Sequence, residues 1–279
     1  MRISENKTHL LKPTFCVGTS YEYLVEMDFT NKVVLITGAS SGIGAAAAIY
    51  FAKLSAKLAL VGRNEKNLLE TVSKCEEQKG IKPLPIVADI TIEADVERIV
   101  KETIDHFQQL DVLINNSGIS KIGGITSTSR ETYDAVMNTN VRGTFYLTSL
   151  AVPYLVKTKG NIVINSSITS LRPHPSMLVY TMSKAALDHF TRNIAVELGP
   201  EGVRVNSVNP GLVPTDIIYR LGYDEDKSNA FFKQIQLHTP LRRLAEVGDI
   251  AALMAFLASD LAKNITGGIH AIDGGRHLI

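Results

Sequence analysis

From Lys32 onward the chain alternates short, continuously apolar runs rich in β-branched residues with longer segments of helical period, and this alternation restricts its fold more than any other feature. The runs lie at 33–37, 58–61, 84–88, 112–114, 162–165, 203–208 and 269–272. A strand with one face in water alternates apolar and polar residues, whereas a strand apolar throughout is covered on both faces by helices. Helical segments at 44–54, 65–78, 93–107, 130–156, 180–198 and 246–257 separate the runs. Strand, helix, strand in succession calls for right-handed crossovers and parallel pairing. The pattern therefore predicts a single α/β domain with a doubly wound parallel sheet of about seven strands and helices on both faces, spanning 28–279.

Composition narrows the function classes. With 29 Lys and Arg against 28 Asp and Glu, the net charge of +1 gives no bulk attraction to nucleic acid or anionic membrane, so neither is expected as a partner. Two cysteines, Cys16 and Cys75, are too few for a disulfide framework or a cysteine-rich metal site and suit a reducing compartment. The seven histidines form no HxxxH pair, and no metal is expected. No run reaches the roughly 20 apolar residues of a membrane span. Residues 1–27 read as a poorly ordered extension, with Met27 as an alternative start. The extension lacks the apolar core of a secretory signal, and its Glu5, Glu22 and Glu26 argue against an acid-poor mitochondrial presequence, so a cytoplasmic protein is expected. The alternation lapses only at 212–243, and a long excursion in an α/β fold is often a functional lid.

The first run leads into Thr37-Gly38-Ala39-Ser40-Ser41-Gly42-Ile43-Gly44 and then an alanine-rich helix. Gly38, Gly42 and Gly44 in that context permit a tight turn, close approach of backbone to a pyrophosphate and close packing of helix on sheet. The helix N-terminus presents free N–H groups, here from the Ser40, Ser41 and Ile43 neighbourhood, to the phosphates. No Lys follows the last glycine, so the loop is not a P-loop. An NAD site usually has an acid at the end of the second strand to bind the ribose 2′-hydroxyl. This chain has Gly62-Arg63-Asn64 there, and an Arg fork suits a phosphate, so NADP(H) is expected over NAD(H). Asp89 and Ile90 end the third run, where the acid either accepts from an adenine amino group or caps the next helix. Asn115-Asn116-Ser117-Gly118 ends the fourth, at the edge where open α/β sheets bind ligands.

Tyr180 and Lys184 are spaced i, i+4, so a helix places them on one face. Such a pair suits proton transfer at a carbinol oxygen. At about 5 Å and an effective dielectric of about 20, an ammonium stabilises a phenolate by about 3 kcal/mol, or about 2 pKa units. That would bring the phenol from about 10 to about 8, provided the lysine, helped by the positive nicotinamide of an oxidised cofactor, outweighs desolvation. Ser167, 13 residues before Tyr180, can hold the substrate oxygen. Asn140 lies inside the long 130–156 segment, where a polar residue can break the backbone ladder and hold a water.

Together these residues resemble the short-chain dehydrogenase/reductase family from about residue 29 to 275. The 37–44 loop resembles its TGxxxGxG motif, and 115–118 its NNAG with Ser117 in place of Ala. Asn140, Ser167, Tyr180 and Lys184 are similar to its Asn–Ser–Tyr–Lys tetrad. Asn209-Pro210-Gly211, followed by Val213 and Thr215, resembles its nicotinamide-contacting segment, and 265–275 its C-terminal signature. The resemblance is nearest to the roughly 250-residue reductases related to 3-oxoacyl carrier-protein reductase. It implies a Rossmann-like sheet, Lys184 on the nicotinamide ribose, Ser167 orienting a carbonyl, Tyr180 as proton donor, and an Asn140–water–Lys184 relay. It also implies a homodimer or homotetramer.

The expected substrate is a lipophilic ketone or secondary alcohol, covered by the 212–243 lid with its Ile217, Ile218, Tyr219, Leu221, Phe231 and Phe232. Met177, Leu178 and Leu212 are further candidate lining residues. A 3-oxoacyl thioester or a steroid is the more specific alternative. A non-catalytic NADP(H)-sensing scaffold is a reading of another class, but it has no need of the tetrad. A nucleotide-sugar epimerase would show TGxxGxxG and a larger C-terminal domain, and this chain has neither.

Overall fold

A computed structural model describes residues 27–214 and 224–279. The seven strands are β1 (Val33–Thr37), β2 (Lys57–Gly62), β3 (Leu84–Val87), β4 (Val112–Asn115), β5 (Asn161–Asn165), β6 (Arg204–Pro210) and β7 (Ile269–Ile272). The helices are α1 (Gly42–Lys53), α2 (Glu65–Lys79), α3 (Glu93–Phe107), α4 (Arg130–Met137), α5 (Gly143–Thr158), α6 (Leu178–Leu198), α7 (Glu225–Leu237) and α8 (Val247–Ala258). All strands pair in parallel in the order β3-β2-β1-β4-β5-β6-β7. The chain winds outward from β1 to β3, then returns to the other side of β1. The crevice between β1 and β4 is thus the topological switch point, where this architecture binds ligands at the carboxyl ends of its strands.

The continuous apolar runs are explained by two cores, one on each face of the sheet. Phe29, Ile36, Phe51, Leu60 and Met254 lie in the core under α1, α2 and α8. Leu35, Ile99, Leu113, Leu147, Ile164 and Leu187 lie in the core under α3, α5 and α6. Burying each such side chain contributes about 1.5–3 kcal/mol, which offsets the ordering of the chain. Met27, at the edge of the expected extension, already packs against the first core. The rest of that extension, residues 1–26, lies outside the described residues, as do Thr215, Ile217, Ile218, Tyr219 and Leu221. Among the described residues no helix is long and apolar enough to cross a membrane.

Three expectations change. The 130–156 helix is broken into α4 and α5 by a π turn at Asn138–Arg142, where the Gly143 N–H reaches back to the Asn138 carbonyl. Single π turns inside α-helices occur mostly at functional sites, and this one carries Asn140. The 212–243 excursion is not all loop. It contains α7, whose N-cap Asp224 accepts from Lys227 N at 2.8 Å. The first helix begins at Gly42 rather than Gly44, so Gly42 and Ile43 belong to its first turn.

Candidate active site

The nucleotide end is built on β1 and β4. Gly38 leaves β1 with a φ of +67°, a left-handed backbone that glycine adopts without strain. Asn116 Nδ2 donates to the carbonyls of Thr37 (2.9 Å) and Gly38 (3.3 Å). The backbone N–H groups of Asn116 and Ser117 both donate to Thr37 Oγ1 at 3.0 Å. The two strand ends are therefore one unit, and the Asn116 side chain is committed to holding it. Gly44 packs against it so closely that a Cβ there would lie 2.2 Å from the Gly38 carbonyl oxygen. At the start of α1, Ser41 makes no side-chain cap and the first turn holds no acid. The free N–H groups and positive end of that helix are left for an external anion. The cradle thus fits the pyrophosphate of a dinucleotide.

At the end of β2, Arg63 is exposed, with Nη1 3.3 Å from Asp89 Oδ2. An exposed pair of this kind is worth about 0–1 kcal/mol, so it leaves the guanidinium free to turn to a phosphate. Asn64 caps α2, accepting from Asn67 N at 3.0 Å, and Glu65 is already in that helix. Asp89 Oδ1 accepts from Thr91 N (2.9 Å) and Thr91 Oγ1 (2.8 Å). Partial burial disfavours the Asp89 carboxylate, but these bonds and the Arg63 charge outweigh it and hold its pKa below the ordinary value. Ile90 is buried beside it.

The reacting end brings together the four residues expected there. Lys184 is 4% exposed, and its Nζ donates to the Asn165 carbonyl at 2.7 Å and sits 5.6 Å from the centre of the Tyr180 ring. The Ser167 hydroxyl is near enough to the Tyr180 phenol to favour its ionised form, and Ser167 Oγ accepts from Thr169 N (3.2 Å) and Thr169 Oγ1 (3.1 Å). Asn140 Nδ2 donates to the Ile119 carbonyl (2.9 Å) and to Ser183 Oγ (3.0 Å), while Asn140 Oδ1 accepts from Ile119 N (2.8 Å). Both ends of that amide are engaged, which fixes it between the segment after β4 and α6. A Cβ on Gly118 would lie 3.4 Å from Asn140 Oδ1 and 3.6 Å from Lys184 Nζ, so the end of β4 passes between the two. Pro210 ends β6, Leu212 and Met177 are half-buried and Val213 is buried.

The expected lowering of the Tyr180 pKa is not what the chain alone produces. Burial pushes the phenol above its ordinary value, and the Ser167 hydrogen bond offsets only part of that. Burial likewise pulls Lys184 down to about 8, against the opposing charge of Asp188. In the chain without cofactor the condition that the lysine outweigh desolvation is not met, because desolvation is the largest influence on both groups. A bound cofactor carrying a positive nicotinamide would add the missing charge.

Two residues here had no sequence signal assigned to them. Asn165 donates from Nδ2 to Asn116 Oδ1 at 2.8 Å, and its own Oδ1 is buried with no partner among the described residues. Asp188 is 3% exposed and lies one turn beyond Lys184. Its i, i+4 spacing from Lys184 was visible, but its burial was not.

The family model described as enoyl-(acyl carrier protein) reductase matches residues 38–277. An L-xylulose reductase of Caenorhabditis elegans is 38% identical over 250 residues, covering 89% of this chain and 96% of that protein. The crystal structure of levodione reductase is similar with a TM-score of 0.85 at 33% identity, covering 90% of this chain and 99% of that one. A 3-ketoacyl-(acyl-carrier-protein) reductase from Brucella melitensis, complexed with NADH, has a TM-score of 0.82 at 30% identity, covering 90% and 100%.

Proposed function

The chain belongs to the short-chain dehydrogenase/reductase family of oxidoreductases, and on that premise we propose that it interconverts a lipophilic ketone and its secondary alcohol with NADP(H). What supports the reading most is the chain of neighbours that runs from Asn140 past Gly118 to Lys184, from Lys184 to the Tyr180 ring and from Tyr180 to Ser167.

The roles follow from the chemistry of each group. Gly38, Ser40, Ser41, Gly42, Ile43 and Gly44 hold the pyrophosphate by backbone N–H groups and the end of α1. Arg63 and Asn64 take the adenosine ribose phosphate, with Asp89 and Ile90 against the adenine. Asn116, Ser117 and Gly118 fix the cradle to the reacting end. Pro210, Gly211 and Val213 would line the nicotinamide side. The nicotinamide, when bound, supplies or accepts the hydride. Ser167 orients the substrate oxygen and Tyr180 gives it a proton in reduction or takes one in oxidation. Lys184, held on Asn165, would orient the cofactor ribose and, with Asn140 and water, relay protons to solvent. The positioning and the field are the protein's contribution.

The absence of an acid at the end of β2 and the exposed Arg63 support NADP(H) over NAD(H). The half-buried Phe231, Phe232 and Ile235 of α7, with Met177 and Leu212, support an apolar substrate. Exposed Phe145, Leu150, Met182 and Val196 on α5 and α6 support a homodimer or homotetramer. In this reading the protein acts in the cytoplasm. The test is an assay of cofactor consumption with NADPH and NADH against lipophilic ketones, steroids and 3-oxoacyl thioesters. Turnover of at least one lipophilic ketone, faster with NADPH, is expected. Cofactor binding with no turnover of any compound would leave a nucleotide-sensing scaffold instead.

A further inference from the structure

Asp188 is a buried carboxylate that the proposed reaction does not use. It faces the turn that carries Ser167. Ser170 Oγ lies within hydrogen-bond distance of Asp188 Oδ2 and of the Ser167 carbonyl (2.6 Å), so its one proton is shared between them. From the opposite side Asn209 Nδ2 lies 2.9 and 3.1 Å from the two Asp188 oxygens, 2.9 Å from Ser170 Oγ and 3.1 Å from the Ser167 carbonyl. Ser207 Oγ reaches Asp188 Oδ1 at 3.4 Å and Asn209 Oδ1 at 2.8 Å. The carboxylate thus ties α6 to the 3-10 turn Ile168–Ser170 and to the end of β6, which continues into Pro210-Gly211.

Tyr180, Lys184 and Asp188 are spaced i, i+4, i+8 on α6, so they form one stripe along the helix. No cation lies within ion-pair distance of Asp188 among the described residues, and the groups presented to it by the 3-10 turn and β6 are the neutral Ser170, Ser207 and Asn209. Lys184 faces the Asn165 carbonyl of β5, also neutral, and Tyr180 on its own helix. The charged neighbour that favours the Lys184 ammonium is therefore Asp188.

We infer that Asp188 is a positioning residue with two separable effects: its hydrogen bonds fix the Ser167 turn against α6, and its carboxylate, buried one helical turn from the buried Lys184, supplies the negative charge that faces that ammonium. A carboxylate that only held the turn would be replaceable by any acceptor. One that only supplied charge would not need Ser170 and Asn209 as partners.

This inference rests on the proposed oxidoreductase reading for its activity arm but not for its titration arm. The titration uses the full-length protein labelled with 13Cε-lysine, followed by NMR against pH. The Lys184 signal is the one absent from Lys184→Met. Asp188→Asn is expected to move the Lys184 midpoint down by about one pH unit, from the loss of a charge one helical turn away. The high-pH limb of ketone reduction should move down with it. Ser170→Ala keeps the charge and removes the bridge, so it should leave the midpoint in place and lower kcat about tenfold. An unmoved Lys184 midpoint in folded Asp188→Asn overturns the electrostatic half. Unchanged kcat and KM in Ser170→Ala overturn the positioning half, and that arm stands even if Asp188→Asn does not fold. Wild-type protein that turns over no ketone would defeat the oxidoreductase reading, while the titration would still decide the role of Asp188.

Discussion

Replacing Lys184 by Met should stabilise the protein at neutral pH while removing its activity. The lysine ordinarily titrates at 10.5, and burial brings it to about 8 in the folded chain. At about 1.36 kcal/mol per unit, folding at pH 7 carries a cost of roughly 3 kcal/mol for keeping that ammonium charged. Met removes this cost but leaves the Asn165 carbonyl without its 2.7 Å donor, a loss of about 1–3 kcal/mol. The net change at pH 7 is thus small and positive, and its pH dependence is the sharper quantity. Below about 8 both folded and unfolded lysine are protonated, and the cost is constant. Between about 8 and 10.5 the folded state has released the proton that the unfolded state still binds, so wild-type stability rises with pH relative to the variant. Urea unfolding of both proteins at fixed concentration from pH 7 to pH 10.5 measures the difference, and effects common to both cancel. The gap should shift by about 2–3 kcal/mol in favour of wild type across that window. A gap that stays flat, or that moves the other way, would refute the assignment of Lys184 as a desolvated ammonium.

Two further substitutions test the nucleotide end. Arg63→Asp places an acid where a ribose 2′-hydroxyl would be bound and removes the fork suited to phosphate, so the ratio of kcat/KM for NADPH over NADH should fall by at least about a hundredfold. An unchanged ratio would remove Arg63 from the site. Gly44→Ala drives a Cβ to 2.2 Å from the Gly38 carbonyl oxygen, a contact that only a backbone shift can relieve. It should lower Tm by several degrees, for a cost of about 1–3 kcal/mol, and weaken NADPH binding measured by fluorescence titration at least about tenfold.

Much of the architecture was legible because a parallel sheet covered on both faces writes itself as apolar runs. All seven runs became strands; two have the same bounds as the strand, and the ends of the others differ by at most two residues. The glycine loop was legible because a tight turn and a close helix leave no other residue type at Gly38 and Gly44. Tyr180 and Lys184 were legible through helical spacing. Three features were not. The π turn needs one extra residue per turn, and nothing in Asn138-Thr139-Asn140 distinguishes that from an ordinary polar stretch. The helix α7 was hidden because Asp224-Glu225-Asp226-Lys227 reads as a charged loop, although Asp224 is its N-cap. Asp188 looks like a polar face of α6 until β6 brings Asn209 against it. The extent of desolvation at Tyr180 was illegible for a related reason: spacing along a helix reveals a neighbour's charge but not how much water the fold has removed.

Under the proposed reaction the Tyr180 phenol gives and takes the substrate proton, and Tyr180→Phe removes its hydroxyl alone. The variant removes one oxygen and leaves the ring over which Lys184 sits. NADPH affinity by fluorescence titration should stay within about threefold of wild type, while kcat for ketone reduction should fall by about 10²–10⁴-fold, the range a positioned acid supplies. Turnover within a few-fold of wild type, with cofactor binding intact, would contradict the role given to Tyr180 and the function built on it.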